Sequence, residues 1–464
     1  MIPIQSNSFE NNLSTGSVPR RLITFAIPFL ISNIIQSLYN VADMIIVGNM
    51  SGEVAIAAVS GVNIGGQVTF LLTNLTIGLC AGAAVLISQY VGANDRENLK
   101  KATGTILTVL LLLGAFLTVL MLALINPILT LIRTPMESYD QTRAYLSVTL
   151  TGIIFIFGYN ALAAIMRGMG DSKHPLWFVT IACVTNIVLD IILVAVFKMA
   201  AFGAALSTVF SQGLSMLLCI VYMKRNNFTF DFKPRSFRID REQLRLILKI
   251  GLPSSLQNGV VSLSFLFLTT IINTLGVTAS AAVGAVGKFN SFAFMPTAAM
   301  AGAVSAMAAQ NIGAKRLDRA VHTAKIGTAI SMAITYAFFA FVMLKPEWVV
   351  SLFNRDPEII EAGKTYIRAF SYDLLLIPIV FNLNSFLLAG GHSLFTMATG
   401  LVSSVLLRVP ACYLFAVVFD MGLRGVGYGA PVASLGSLII IVAYLATGKW
   451  KHNVVGSQPL YVEG

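Results

Sequence analysis

The sequence is poor in charge. Asp, Glu, Lys and Arg together make up 11% of its 464 residues, whereas 56% are hydrophobic. A soluble globular domain carries about 25% charged residues, so a water-soluble enzyme of this size is excluded. A disordered chain is excluded as well, because it would lack this apolar content. The composition and the mean hydropathy of +0.80 therefore predict a polytopic membrane protein.

Cysteine and histidine are also scarce, with four of each. The cysteines lie within apolar stretches and show no paired spacing, which is typical of membrane-core residues and not of disulfides or metal ligands. The histidines fall at loops or at the ends of apolar segments, and the sequence contains no HExxH or phosphate-loop motif. We therefore expect no metal site, no cofactor and no catalytic residue.

Long apolar runs such as residues 106–125 predict membrane helices. Barrel strands would alternate apolar and polar residues, and these runs do not. With about 20 apolar residues needed for each crossing, the expected fold class is an all-α integral membrane protein with twelve transmembrane helices. The predicted spans are residues 22–47, 56–88, 104–126, 141–166, 175–197, 202–223, 247–272, 280–309, 323–344, 366–388, 395–418 and 425–447.

Lysine and arginine collect on one side of these spans. The two chain ends and the loops on the same side hold 21 of the 31 basic residues. Because cytoplasmic loops are enriched in basic residues, this side and both termini are predicted to be cytoplasmic. The same bias explains the net charge of +11, so no nucleic-acid partner is expected.

The two halves of the chain resemble each other at an offset of about 221 to 225 residues. Leu22–Pro28 matches Ile247–Pro253, and Gln89–Ala93 matches Gln310–Ala314. Six spans in each half make the repeats parallel, so the sequence predicts two pseudo-symmetric six-helix bundles around a central cleft, an architecture of alternating-access transporters. The expected segments are a cytoplasmic N-terminal segment (1–21), an N-terminal bundle (22–223), a basic connector (224–246), a C-terminal bundle (247–447) and a cytoplasmic tail (448–464).

Two acids are placed inside predicted spans. Asp43 shares one helical face of the first span with Gln36 and Asn40, and Asp190 shares a face of the fifth span with Asn186. Charge at membrane depth is costly and usually functional. A carboxylate in such a place can take up H⁺, or bind Na⁺ together with amide and hydroxyl oxygens.

A second polar stripe lies on the second predicted span. Asn63 and Gln67 are four residues apart and therefore share a helical face. They are candidates for the substrate cleft, together with Gln36 and Asn40. Hydrogen bonding between helices is an equally good interpretation of Asn63 and Gln67.

The second half lacks acids at the matching positions, since Asp43 falls over Leu268. Lys288 and Arg408 lie within spans of the second half and argue against a second cation site there. Asp373 is expected near the outer end of the tenth span. We therefore expect the coupling chemistry in the N-terminal bundle alone.

Several short motifs together resemble those of multidrug and toxic compound extrusion (MATE) transporters, over nearly the whole chain. The resemblance implies export of amphipathic, often cationic small molecules in exchange for H⁺ or Na⁺. The motifs are Asn40–Asp43 followed by Val47–Gly48, Ser88–Ala93, Arg167–Asp171, Asn186–Asp190 and Gly203–Thr208.

The resemblance also implies roles for individual residues. It makes Asp43 the coupling acid of the first span, and it places Asn160, Asn186, Asp190 and Thr208 at positions associated with cation binding. If Na⁺ is the ion, Asp43, Asn186, Asp190 and Thr208 would hold it.

The NorM branch of that family carries further acids in its C-terminal bundle. The matching positions here look like Val261 and approximately Pro378. The chain therefore looks closer to the DinF-like branch, which favours H⁺.

The sequence thus predicts a secondary antiporter of the plasma membrane, functional as a monomer, with small organic molecules and membrane lipids as its partners. One alternative is a lipid-linked oligosaccharide flippase of the same broad superfamily, which Lys288 and Arg408 leave open. A membrane-embedded enzyme is a remote alternative: Gly168–Asp171 matches the GxGD pattern of intramembrane aspartyl proteases, but Lys173 and Pro175 place this motif in a turn.

Overall fold

The computed structural model describes residues 12–49, 53–226 and 228–453. Nearly all of these residues are helical. Three π-helical segments (Ile191–Val196, Val402–Arg408 and Leu414–Val418) continue or flank α-helices, and single 3₁₀ turns occupy Pro234–Ser236 and Lys449–Lys451. The α-helices are α1 (Val18–Gly48), α2 (Glu53–Ala93), α3 (Arg96–Ala123), α4 (Ile125–Leu131), α5 (Met136–Thr151), α6 (Ile153–Gly168), α7 (Lys173–Asp190), α8 (Ala200–Arg225), α9 (Arg241–Thr274), α10 (Val277–Gly313), α11 (Leu317–Leu344), α12 (Pro346–Ser351), α13 (Pro357–Phe370), α14 (Asp373–Ala389), α15 (Ser393–Leu401), α16 (Val409–Tyr413) and α17 (Gly422–Ala446).

Ten helical stretches within the described residues are long and apolar enough to cross a membrane, and two bent helix pairs bring the number of spans to 12. The bent pairs are α5 with α6, at 49°, and α13 with α14, at 47°. The predicted all-α membrane fold is therefore confirmed. The predicted boundaries differ from the observed helix ends by up to nine residues, as at the tenth span, which begins at Pro357 and not at residue 366.

The breaks in the fourth and tenth spans were not expected, because the sequence predicted a continuous helix in each. Gly152 separates α5 from α6, and a Cβ atom added there would lie 2.3 Å from a methyl carbon of Val209 on α8. The neighbouring helix therefore packs directly against the first break. In the tenth span, charged residues in α13 interrupt the apolar run and hid its beginning. The two breaks occupy corresponding places in the two halves of the sequence.

The chain forms two compact units whose boundaries lie inside helices. Unit 1 contains Ile31–Gly251, and unit 2 contains Leu13–Leu30 with the described residues from Leu252 onward. The changeovers thus lie within three residues of Pro28 in α1 and of Pro253 in α9. The sequence predicted that the two bundles begin at residues 22 and 247. In the structure, the first residues of α1 belong to unit 2, and the first residues of α9 belong to unit 1.

Within unit 1, a glycine pair holds the beginning of α9 against α2. A Cβ atom added to Gly82 would lie 2.6 Å from the backbone nitrogen of Gly251, and one added to Gly251 would lie 2.8 Å from the Cα of Leu79. The two backbones are therefore in direct contact. Small residues at helix crossings permit this closeness in membranes.

The connector between the halves is also a packed part of unit 1. Phe230 is 1% exposed, and its ring makes T-shaped, edge-to-face contacts with the rings of Phe232 and Phe237. Asp240 donates a backbone hydrogen bond to the hydroxyl of Thr105, at 3.1 Å. The connector predicted from its charge is thus anchored on α3, and its aromatic residues form a small core of their own.

Phe230→Ala is expected to destabilise the protein, because it leaves a cavity under the connector. Truncation of a buried Phe costs about 3–5 kcal/mol. The measurement is the thermal unfolding midpoint of the detergent-solubilised protein. Phe232→Ala is the matched control, since Phe232 is only half-buried and its truncation should lower the midpoint less. Equal midpoints for the two variants would show that the connector is not anchored through Phe230.

Candidate functional site

The two acids singled out in the sequence come together in unit 1. Asp43 lies on α1 and is 7% exposed, and Asp190 is fully buried as the last residue of α7. Their carboxyl groups are close enough to interact with each other directly. Two ionised carboxylates this close in a buried place repel each other, and a proton or a bound cation would remove the repulsion.

Asp190 stands at a change of helix type. The chain continues from it as the π-helical segment Ile191–Val196, and Lys198 and Ala200 then adopt positive φ angles of 54° and 50°. Isolated π-helical turns occur frequently at functional sites. This irregular stretch turns the chain from α7 into α8, which places the hydroxyls of α8 beside the carboxyl group of Asp190.

Hydroxyl groups line the same place. The Ser207 hydroxyl donates to Asp190 Oδ1. The phenol of Tyr39, one turn before Asp43 on α1, donates to the Thr208 hydroxyl at 2.9 Å, and Thr208 in turn donates to the carbonyl of Ala204. The side chains of α1, α7 and α8 therefore form one polar cluster.

Several polar atoms of this cluster have no hydrogen-bond partner among the described residues. They are Oδ1 of Asp43, Oδ2 of Asp190 and both polar side-chain atoms of the fully buried Asn186. Buried polar atoms are almost always satisfied in folded proteins. These oxygens are suited to a proton, a water molecule or a hard monovalent cation.

The charge of the cluster is not balanced by a basic side chain. Among the described residues, Asp190 is the charged group that lies close enough to Asp43 to act on it electrostatically. Tyr145 of α5 is 8% exposed and lies close enough to both carboxyl groups to interact electrostatically with them. The cluster is therefore an acidic and hydroxyl-rich place that attracts cations.

Small and branched apolar residues pack beside the polar cluster. Val47 and Val194 lie one turn beyond Asp43 and Asp190, and both are fully buried in one hydrophobic cluster with Ala204 of α8. The alanines of α8 allow the helices to approach closely. The acid pair therefore borders a closely packed apolar cluster on one side.

The structure places the other predicted residues less centrally. Asn160 is half-buried, and its amide donates to the carbonyl of Ile156 at 2.8 Å and not to the acid pair. Gln36 and Asn40 are exposed, and they share a helix with Asp43 without contributing to its cluster.

Asn63 and Gln67 are also exposed, and they hydrogen-bond to each other at 3.3 Å. This hydrogen bond joins two residues of the same helix, so it is not a bond between helices. The proposed cleft role of all four exposed residues therefore stays a prediction.

Sequence reasoning missed three members of the cluster: Tyr39, Tyr145 and Ser207. Tyr39 carries a usable signal, because it is four residues before Asp43 and so shares its helical face. Ser207 is next to the predicted Thr208. Tyr145 lies on a separate helix, and no local pattern connects it to the acids.

Unit 2 also contains a buried acid, Asp373. The sequence placed it near the outer end of the tenth span, whereas it directly follows the break between α13 and α14 inside that span. Asp373 begins α14, is 4% exposed and accepts a hydrogen bond from Ser434 of α17. The guanidinium of Arg408 acts on it electrostatically and stacks over the ring of Phe265, 4.6 Å from its centroid. Asp373 therefore differs from the acid pair of unit 1, because a basic group lies close enough to act on it electrostatically.

Comparison with known proteins identifies the family. The MatE family model matches residues 28–192 and 253–414, which is one match in each half. The chain belongs to the MATE family.

MATE relatives cover almost the whole chain. The probable multidrug resistance proteins YoeA and YpnP of Bacillus subtilis are 30% and 28% identical to it, covering 93% and 95% of this chain and 94% and 97% of their own lengths. A solved MATE structure in the bent conformation is 25% identical, with a TM-score of 0.88 over 95% of this chain and 97% of that one. MATE proteins are transporters and not enzymes. This chain is therefore a multi-pass membrane protein and a multidrug efflux transporter.

Proposed function

We propose that this MATE transporter is an antiporter, in which a cation taken up at the Asp43–Asp190 pair drives the export of small organic molecules. The observation that carries the proposal is the buried pair of carboxyl groups, with no basic partner in the described part of unit 1. Such a pair can take up a proton or a monovalent cation, which lowers its negative charge, and can release it again. Uptake on one side of the membrane and release on the other then supply the work of transport.

The cation proposed is H⁺. A shared proton removes one of the two negative charges of adjacent carboxylates and needs no further ligands, whereas Na⁺ needs several oxygens. The unpartnered oxygens of Asp43, Asn186 and Asp190, together with the hydroxyl of Thr208, would supply such ligands. Na⁺ is therefore the second candidate, and the experiment below separates the two.

The substrates proposed are amphipathic and often cationic. A cationic molecule is attracted by the same uncompensated carboxylates, so binding of substrate and coupling ion become mutually exclusive. Gln36, Asn40, Asn63 and Gln67 are the proposed substrate contacts, since each presents an exposed amide. The transporter is proposed to act as a monomer surrounded by membrane lipids.

We also propose a plasma-membrane location with both termini in the cytoplasm. The support is the concentration of 21 of the 31 basic residues on one side of the spans. Within the family we propose the DinF-like branch, because Val261 and Pro378 stand where the NorM branch carries acids.

The test uses everted membrane vesicles, in which exported dye accumulates in the lumen. With an acidic lumen and no Na⁺ gradient, dye accumulation is expected, and nigericin or another proton-exchanging ionophore should abolish it. With equal pH and Na⁺ loaded in the lumen, no accumulation is expected. Vesicles that lack the protein are the control.

Accumulation driven by Na⁺ and not by pH would reassign the carboxyl pair to Na⁺. If neither gradient drove accumulation above the control vesicles, the antiport proposal would be wrong.

A further inference from the structure

A short turn precedes α1, and two arginines of unit 2 hold it by its backbone. The turn consists of Leu13–Gly16. Arg316 donates to the carbonyl of Ser14 at 2.9 Å, and Arg319 donates to the carbonyl of Gly16 at 2.8 Å. The backbone nitrogen of Leu13 donates to the side chain of Gln310 at 2.9 Å, and Leu13 itself is 3% exposed. The turn is thus a fixed part of unit 2, at the loop between α10 and α11.

A third arginine reaches the same turn. The Nε atom of Arg21 would lie 3.4 Å from a Cβ atom added to Gly16, the residue whose carbonyl Arg319 binds. Both Arg21 and Arg316 are close enough to Arg319 to repel it electrostatically. Three guanidinium groups therefore converge on four residues. We call Arg21, Arg316 and Arg319 the arginine cluster.

No ion pair joins the arginine cluster to an acid within the described residues. Arg316 and Arg319 donate to backbone carbonyls of the turn, which carry no full charge. These hydrogen bonds occupy only a few of the donors that three guanidinium groups offer. The Nε atom of Arg319 is buried without an acceptor. The cluster therefore has excess positive charge and free donors, two properties that an anion with several oxygens would satisfy.

The equivalent place in unit 1 is built from different side chains. The loop between α2 and α3 corresponds to the loop between α10 and α11 in the repeat, and the beginning of α9 lies beside it. There Tyr90 donates to the Gln243 side chain at 2.9 Å, and Gln243 donates to Asn98 at 3.3 Å. The carboxylate of Asp240 accepts hydrogen bonds from the backbone of Glu242 and Gln243. The hydrogen bonds that anchor the helix start thus differ between the two units.

We propose that the arginine cluster is a binding site for a phosphate group, which stabilises the docked turn at the start of α1. Guanidinium groups bind phosphate oxygens through paired, charge-assisted hydrogen bonds, which makes arginine the side chain suited to this ligand. The cluster lies on the side of the spans that is predicted to be cytoplasmic. Two sources of phosphate are available there: the headgroup of an anionic phospholipid and a soluble phosphate.

The experiment compares thermal unfolding midpoints of the full-length protein. The lipid arm uses nanodiscs of phosphatidylcholine with and without phosphatidylglycerol. The soluble arm uses detergent-solubilised protein titrated with inorganic phosphate at constant ionic strength, with sulfate-free chloride buffer as the reference. A rise of the midpoint with phosphatidylglycerol is expected, and a rise in the soluble arm alone would identify a soluble phosphate as the ligand.

Arg21→Gln is the informative variant, because Arg21 makes none of the hydrogen bonds that hold the turn. Its midpoint without phosphate should stay near the wild-type value, while the anion concentration needed for half of the shift rises about fivefold. Arg355→Gln removes the same charge from an exposed loop of unit 2 and should leave the shift unchanged.

Two results would overturn the proposal. One is an unfolding midpoint that responds neither to phosphatidylglycerol nor to phosphate. The other is an equal response of Arg21→Gln, Arg355→Gln and the wild type, which would mean that the stabilisation is a general effect of charge. Neither result depends on transport activity, so failure here is distinguishable from failure of the antiport proposal.

Discussion

Asp43→Asn is expected to lower gradient-driven efflux by about tenfold or more, because an amide neither carries nor releases a proton. Asp190→Asn should have the same effect, since the two carboxyl groups share one site. The measurement is the initial rate of dye accumulation in everted vesicles, normalised to the amount of transporter in the membrane. Binding of an uncharged substrate should be affected less than transport.

Asp373→Asn is the matched control for these variants. Asp373 is also a buried carboxyl group that accepts a hydrogen bond from a serine, Ser434, as Asp190 does from Ser207. It differs in the nearby guanidinium of Arg408. Efflux by Asp373→Asn is expected to stay near the wild-type rate. If Asp43→Asn transported as well as Asp373→Asn, the coupling role assigned to unit 1 would be wrong.

Gly82→Ala is expected to lower the unfolding midpoint of the detergent-solubilised protein. The added methyl group would lie 2.6 Å from the backbone nitrogen of Gly251, and a backbone cannot move aside as a flexible side chain can. Overpacking of this kind costs about 1–3 kcal/mol, and the bulkier Gly82→Val should cost more and reduce the yield of folded protein.

Gly66→Ala is the control on the same helix. Nothing lies within 4 Å of a Cβ atom at that position, so alanine should be tolerated there and should favour the helix slightly. The comparison removes the general effect of replacing glycine in a membrane helix. Equal midpoints for Gly82→Ala and Gly66→Ala would mean that α2 and α9 do not touch through their backbones.

The sequence was sufficient to predict the helical spans, because apolar length is the physical requirement for crossing a membrane. It was not sufficient to predict their breaks. Gly152 is one glycine among 37, and what distinguishes it is the Val209 side chain of another helix. The start of α13 was missed for a related reason. Its charged residues are not typical of a membrane span, although the helix is the first part of one.

The candidate site was predictable in part. Asp43 and Asp190 stand out because carboxyl groups are rare in apolar segments, and that argument needs no structure. The unit boundaries near Pro28 and Pro253 were not accessible in this way. The beginnings of α1 and α9 match each other in sequence. This match does not indicate that each of them packs in the unit that the other half mainly forms.

Each half of the chain depends on the other half for the start of one helix. If the connector were cut and the halves were produced from separate genes, the first fragment would lack Arg241–Gly251, which completes unit 1, and the second would lack Leu13–Leu30, which completes unit 2. Neither fragment would be self-sufficient. The two halves are therefore connected as the subunits of a domain-swapped dimer are, but within one polypeptide.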